Sequence, residues 1–236
     1  MKIKAVLFDL DGTLLPMDQE MFVKRYFGLL AQKMAMFSYQ PQKLIDAVYA
    51  GTIAMMKNDG RKSNEVVFWD KMSEVYGESV RQDEKRFEEF YREEFDNVKI
   101  STSFSRLASI VVGMAKDMGL RVVLATNPIF PQIATQKRMA WAGLDHKDFE
   151  FYTTYENYYH CKPNLEYYKD ILSKLGVDAK ECLLVGNDVN EDMIAQELGM
   201  SVFLLTNCLI NKDNKDISNY PQGDFEDLME YIKRLG

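Results

Sequence analysis

Four short stretches hold the side chains able to do chemistry: Asp9, Asp11 and Thr13 in LFDLDGT, Thr126 and Asn127 in ATNP, Lys162 in CKP, and Asp188 and Asp192 in GNDVNED. Two carboxylates spaced i, i+2 can face one pocket if the chain leaves extended geometry between them, and Gly12 permits that turn. A carboxylate is a weak nucleophile, yet it attacks phosphorus once a cation neutralises the approaching phosphate. The second carboxylate, Asp11, is suited to protonating a leaving oxygen and later taking a proton from water. Thr13 adds a hydroxyl and a backbone N–H. The TNP segment supplies a hydroxyl and amide donors near a following helix start, where N–H groups favour anions. Lys162, just ahead of Pro163, would hold an ammonium at a fixed point, able to bind phosphate and to temper its repulsion by Asp9. Asp188 and Asp192 are hard oxygen donors. One magnesium ion held by Asp9 and Asp188 would permit in-line phosphoryl transfer.

These stretches are far apart in the chain, so the elements between them must bring them together. Lys4 to Phe8 reads as a buried strand ending at the DLDGT turn. From about Asp18 to Asp96 the apolar residues recur at helical spacing (Phe22, Tyr26, Leu29, Leu30; Phe87, Phe90, Tyr91) and no strand is convincing. That region reads as an insert of three to five helices. Its methionines, Met21, Met34, Met36, Met55 and Met56, read as adaptable core. From Phe104 onward helices and strands alternate. Helices are expected over Leu107–Met118, Ile129–Ala142, Asn164–Leu175, Asp192–Leu198 and Phe225–Leu235, the first four each stopped by a glycine. Strands are expected at Arg121–Ala125, Phe149–Tyr152, Cys182–Val185 and Ser201–Leu205. The pattern predicts an α/β fold, a doubly wound, Rossmann-like parallel sheet formed by residues 1–16 and 98–236, with an all-helical cap domain inserted at 17–97. Ligands of such sheets bind beyond the carboxyl ends of the strands, where three of the stretches fall, those with Asp9 and Asp11, Thr126 and Asn127, and Asp188 and Asp192.

At 236 residues, 47% of them apolar, the chain has ample material for a core. A net charge of −7 disfavours a nucleic-acid partner. It does not disfavour a small phosphorylated metabolite bound in a locally positive pocket. No apolar run is long enough to span a membrane, and the N-terminal stretch, broken by two Asp, is wrong for a signal peptide. Three cysteines without CxxC spacing (Cys161, Cys182, Cys208) give neither a disulfide framework nor a zinc site, so the expected compartment is the cytoplasm.

LFDLDGT, ATNP, CKP and GNDVNED, in that order, resemble the motifs of the haloacid dehalogenase-like (HAD) hydrolase superfamily, in its phosphatase branch. The resemblance spans Leu7 to Asp192. It implies Asp9 as nucleophile, Asp11 as general acid and base, Thr126 as phosphate binder and Lys162 as charge-balancing lysine. It further implies Mg²⁺ as cofactor, bound by Asp9, Asp188 and the main-chain carbonyl of Asp11, with Asp192 a ligand or its support. The helical stretch falls where relatives carry a cap. An Asp at position 11 favours phosphoryl transfer over dehalogenation, because attack on carbon needs no acid for an ester leaving group. Many relatives carry an acidic residue where this chain has Asn187, which leaves the metal one charged neighbour fewer.

Other features read more plainly. Adjacent His160 and Cys161 need not face one site, and the aromatic YENYYHC stretch reads as packing. Lys24, Arg25, Lys57 and Arg61 read as solvated charges. The expected activity is magnesium-dependent hydrolysis of a small phosphomonoester through an aspartyl-phosphate on Asp9. Two rival readings are a phosphomutase passing the group to a sugar hydroxyl and a non-catalytic phosphate-binding regulator. The substrate is set by cap residues that one sequence does not single out, and oligomeric state is open.

Overall fold

Ala5–Phe8 forms strand β1, and all four residues are buried, as suits a strand covered on both faces. On one side it pairs in parallel with β2 (Arg121–Leu124), Phe8 opposite Leu124. On the other it pairs with β3 (Cys182–Gly186), Phe8 opposite Val185. Strands β4 (Ser201–Leu205) and β5 (Gln222–Gly223) complete a five-stranded parallel sheet of order β2-β1-β3-β4-β5. The computed structural model describes residues 2–235. Because the chain passes from β1 to β2 on one side and then returns across β1 to β3 on the other, the strand order reverses at β1 and a crevice opens at its carboxyl end.

In the stretch that follows β1, residues 17–97, the chain forms four α-helices: α1 (Gln19–Ala35), α2 (Pro41–Met56), α3 (Asn64–Tyr76) and α4 (Glu84–Glu93). Asp18 caps α1 by accepting from the Met21 N–H (2.9 Å), and Pro41 opens α2 at a position that has no helical N–H to lose. The insert packs around aromatic rings. Tyr26 and Tyr91 share a hydroxyl hydrogen bond of 2.8 Å, and Phe95 lies 5.0 Å from Trp141 on the core side, so the hydrophobic interior runs unbroken from cap to core. Met34 and Met55 are buried as expected, but Met21, Met36 and Met56 are exposed, because they fall on the outward faces and ends of their helices.

The remaining helices are α5 (Arg106–Asp117), α6 (Gln132–Trp141), α7 (Leu165–Leu175) and α8 (Phe225–Leu235). Val6, Phe8, Leu124 and Val185 point to the face covered by α5, α6 and α8. Leu7, Val123 and Leu184 point to the face covered by Tyr167, Tyr168, Ile171 and Leu175 of α7. This is the period-2 split of a doubly covered sheet, each fully buried side chain contributing about 1.5–3 kcal/mol. Two elements differ from expectation. Phe149–Tyr152 runs parallel to β2, with Glu150 N–H donating to the Val122 carbonyl (2.8 Å), Leu124 N–H to the Phe151 carbonyl (3.2 Å) and Thr153 N–H to the Leu124 carbonyl (3.1 Å), and forms an isolated bridge, Tyr152 to Leu124, instead of a full strand. Met193–Leu198 is a 3₁₀ helix, starting from an Asp192 already tied to its surroundings. Among the described residues no helix is long and apolar enough to cross a membrane.

Candidate active site

Asp9 follows β1 directly, its N–H still bonded to the Val185 carbonyl (2.9 Å). That places it between the ends of β2 and β3. Its carboxylate is nearly buried, 7% of the residue being exposed. Oδ1 accepts from Lys162 Nζ (2.9 Å) and Oδ2 from the Thr13 hydroxyl (2.9 Å). Lys162 Nζ also donates to Asp192 Oδ1 at 2.6 Å. Burial alone would lower the Lys162 ammonium's pKa, but Asp192 and Asp9 hold it well above its ordinary value. Burial pushes the Asp192 carboxyl up, to about 6, with Lys162 pulling the other way. Asp192 Oδ2 takes the Asp188 N–H (3.0 Å), so both of its oxygens are engaged within the protein. Gly186 is required here, since any side chain would collide with the Asp192 carboxylate.

Asp11 turns away from this cluster. Gly12, at φ +83°, reverses the chain, and a side chain on it would strike the Asn187 amide. Asn187 is buried; its Oδ1 accepts from Thr13 and its Nδ2 donates to the Cys208 carbonyl (2.6 Å). It therefore ties the DLDGT turn to the loop after β3. Asp11 Oδ2 is paired with Arg138 of α6, a fully buried guanidinium that also stacks on Phe130 at 4.4 Å. Asp11 Oδ1 is buried without a partner. Burial raises the Asp11 carboxyl above its usual range, against the pull of Arg138. Arg138 escaped the sequence reading. The available signal was its register: it shares the inward face of α6 with Ala134, Thr135 and Met139, a position where an arginine must find a buried partner.

The other expected residues gather around the same strand ends. Thr126 is buried just past β2, its carbonyl held by the hydroxyls of Tyr167 (2.9 Å) and Thr153 (2.5 Å). Asn127 Oδ1 accepts from the Lys162 N–H (3.3 Å) and Nδ2 donates to Glu191 (3.0 Å). Burial pushes the Glu191 carboxyl up to about 7, and its motif position gave no hint of that. Asp188 Oδ1 accepts two N–H groups of its own loop, from Asn190 (2.7 Å) and Glu191 (2.9 Å). His160 and Cys161 face different partners, Asp170 and Asn64, and burial drives the Cys161 thiol up to about 12, leaving it inert.

Among the described residues no three His, Cys, Asp or Glu side chains form a cage for an ion. Magnesium needs none, taking one or two carboxylates and completing its shell with phosphate and water. Asp9 and Asp188 follow neighbouring strands and offer only oxygen, so the donor set fits that ion.

Between cap and core lies a cavity of about 820 Å³ with Asp11 on its wall. Aromatic rings from both halves line it, including Tyr155 of the YENYYHC stretch, which faces the cavity instead of serving only as packing. Lys24, Arg25, Lys57 and Arg61 are solvent-exposed and do not line it.

The family model of haloacid dehalogenase-like hydrolases matches residues 3–198. The chain belongs to this family. The match contains all four stretches of chemical side chains. A glyceraldehyde 3-phosphate phosphatase from Methanocaldococcus jannaschii is 30% identical over 122 residues, which is 51% of this chain and 52% of that relative. The chain thus spans about half the length of that curated relative. A HAD phosphatase from Thermococcus onnurineus has the same fold, with a TM-score of 0.58 and 16% identity over 98% of each chain. A 2-haloacid dehalogenase from Pseudomonas syringae pv. Tomato DC3000 reaches a TM-score of 0.65 at 17% identity, over 99% of this hydrolase and 100% of its own chain. At such identities the likeness establishes the fold, the Rossmann-like core with a helical cap, and leaves the chemistry to the residues.

Proposed function

We propose that this hydrolase cleaves small phosphomonoesters by a double displacement on Asp9. The observation that carries the reading is the division of labour between the two carboxylates. Asp9 is clamped by Lys162 and Thr13 at the strand end, while Asp11 keeps one oxygen free beside the cavity. An Asp9 oxygen attacks phosphorus as the ester P–O bond breaks. Asp11 gives its proton to the departing alkoxide, which leaves as the alcohol. Asp11 then takes a proton from water, whose oxygen attacks phosphorus and releases inorganic phosphate, restoring the Asp9 carboxylate. Lys162 balances the charge of Asp9 against the incoming phosphate, and Asp192, with both oxygens engaged, holds Lys162 in place. Thr126 and Asn127 bind phosphate oxygens at the end of β2. Mg²⁺, held by Asp9, Asp188 and the Asp11 carbonyl, would supply positive charge to the phosphoryl oxygens.

Residues 17–97 act as the cap, closing over the cavity to exclude water, and the cytoplasm is the compartment that the free cysteines suit. An Asp in the general-acid position separates this reading from dehalogenation. The test is phosphate release from para-nitrophenyl phosphate by wild type and Asp9→Asn. Activity should be confined to wild type, vanish with EDTA and return with magnesium. Turnover in pure Asp9→Asn, with its circular dichroism unchanged, would overturn the mechanism.

A further inference from the structure

We propose that the alcohol half of the substrate carries a positive charge on an apolar body, as in the phosphate esters of amino alcohols. This rests on the phosphatase reading, because Asp11 can protonate only a leaving oxygen that faces the cavity. The cavity, about 820 Å³, falls in the usual size range for a small-molecule site. Its walls are unusual in two respects.

The first is aromatic. Phe68 and Trp69 of α3 meet at 87° with centroids 5.4 Å apart, and Tyr155 from the core approaches Phe68 at 6.3 Å. These rings and Tyr26 line the cavity, and the faces of such rings attract cations. The second is charge. Glu65 lies one turn before Phe68 and Trp69 on the same face of α3, and Glu84 and Glu156 line the cavity with it. Burial first, then Glu156 and Glu84, holds the Glu65 carboxyl above its usual range, so the three acids feel one another. Glu156 Oε1 accepts the Gln132 N–H (2.8 Å), while Oε2 is buried without a partner. Glu84 has only a long contact with Arg81, 3.6 Å. The cations that line the cavity, Lys85 and Arg92, are exposed, and Arg92 is paired with Glu88 (2.5 Å). An additional carboxylate or phosphate on the substrate would meet uncompensated negative charge. An ammonium would meet three carboxylates and the ring faces, with its apolar substituents against the same rings.

The test uses the full chain with magnesium and a matched pair of esters: phosphocholine and dimethylbutyl phosphate, its uncharged carbon isostere. The expected result is a kcat/KM at least about tenfold higher for phosphocholine, the step worth about 1.4 kcal/mol. Glu65→Gln and Glu156→Gln should remove most of that preference by raising KM for phosphocholine, with a smaller change in KM for dimethylbutyl phosphate. Equal rates for the pair, or better turnover of phosphoglycolate with its additional carboxylate, would overturn the proposal. So would variants that slow the charged and uncharged esters alike. If no ester is turned over, the phosphatase reading fails on its own. Choline binding, followed by tryptophan fluorescence, then decides the cation site. Saturable quenching lost in Glu65→Gln supports it, and no quenching refutes it.

Discussion

The carboxylates around the cleft fall into two sets that the fold treats in opposite ways. At the strand ends, Asp9 and Asp192 are buried, Asp11 is half-buried, and the three are matched by two buried cations, Lys162 and Arg138. On the cap side, Glu65, Glu84 and Glu156 are half-buried and line the cavity, and among the described residues their one ion pair is the 3.6 Å contact of Glu84 with Arg81. Burying an ion costs several kcal/mol, which a fold sustains only with a partner in good geometry. The strand-end set is therefore paired with its own cations before any ligand arrives, with one oxygen of Asp11 left over. The cap-side set keeps partial contact with water, and so can remain unmatched until a ligand fills it. In the proposed reading, one set serves the reaction and the other recognition.

The sharpest way to break this contrast is to remove the shared cation. Lys162→Met leaves Asp9 and Asp192 facing each other without it. It should destabilise the fold by about 3–5 kcal/mol in urea unfolding, as expected when one partner of a buried pair is lost. Phosphate release should disappear as well. An unchanged unfolding midpoint would mean that the strand-end carboxylates are not held by Lys162 at all. A smaller effect is expected at Arg138, which lies outside the cavity lining and acts through Asp11 as a positioning residue. Arg138→Met should lower kcat by up to ~10²-fold, the low end of what a positioned acid contributes, with KM little changed. Arg138→Lys, keeping charge without the planar fork, should retain more activity than Met. A loss confined to KM would move Arg138 from positioning to substrate binding.

The smallest expected effect is at Glu65, and its sign is opposite. A carboxyl whose pKa is raised in the folded state favours folding in its protonated form, so its ionisation weakens the fold as pH rises through the unfolded and then the folded pKa. Its place in the first turn of α3, ordinarily favourable for an acid, is outweighed by burial and by its acidic neighbours. Glu65→Gln should therefore raise Tm slightly at neutral pH and leave it unchanged in acid, measured by differential scanning calorimetry. Destabilisation at neutral pH would show that Glu65 already has a partner inside the protein.

Much of the scaffold was legible in advance, because periodicity carries it. Val6 and Phe8 alternate with Ala5 and Leu7 across β1, and Phe225, Leu228 and Ile232 stripe one face of α8. The run at Phe149–Tyr152 lies along β2 as expected but forms only an isolated bridge, because an apolar stretch does not show how far its backbone completes a ladder. Met36 misled because helical spacing does not say where a helix ends relative to the core. Arg138 and Glu191 were missed for another reason: beyond the inward register of Arg138 on its helix, their character comes from what they are buried against.

The sequence by itself determined which side chains could act and that they would meet at the strand ends. Residue type sets the chemistry, and the alternation of strand and helix sets the sheet. Only the tertiary structure decided how those groups are spent on one another. It engaged both oxygens of Asp192 with Lys162 and Asp188, gave Asp11 a guanidinium from 127 positions away, and left three glutamates unmatched beside aromatic rings. The physical reason is that charge and burial energies depend on distance in space and on access to water, neither of which local sequence encodes.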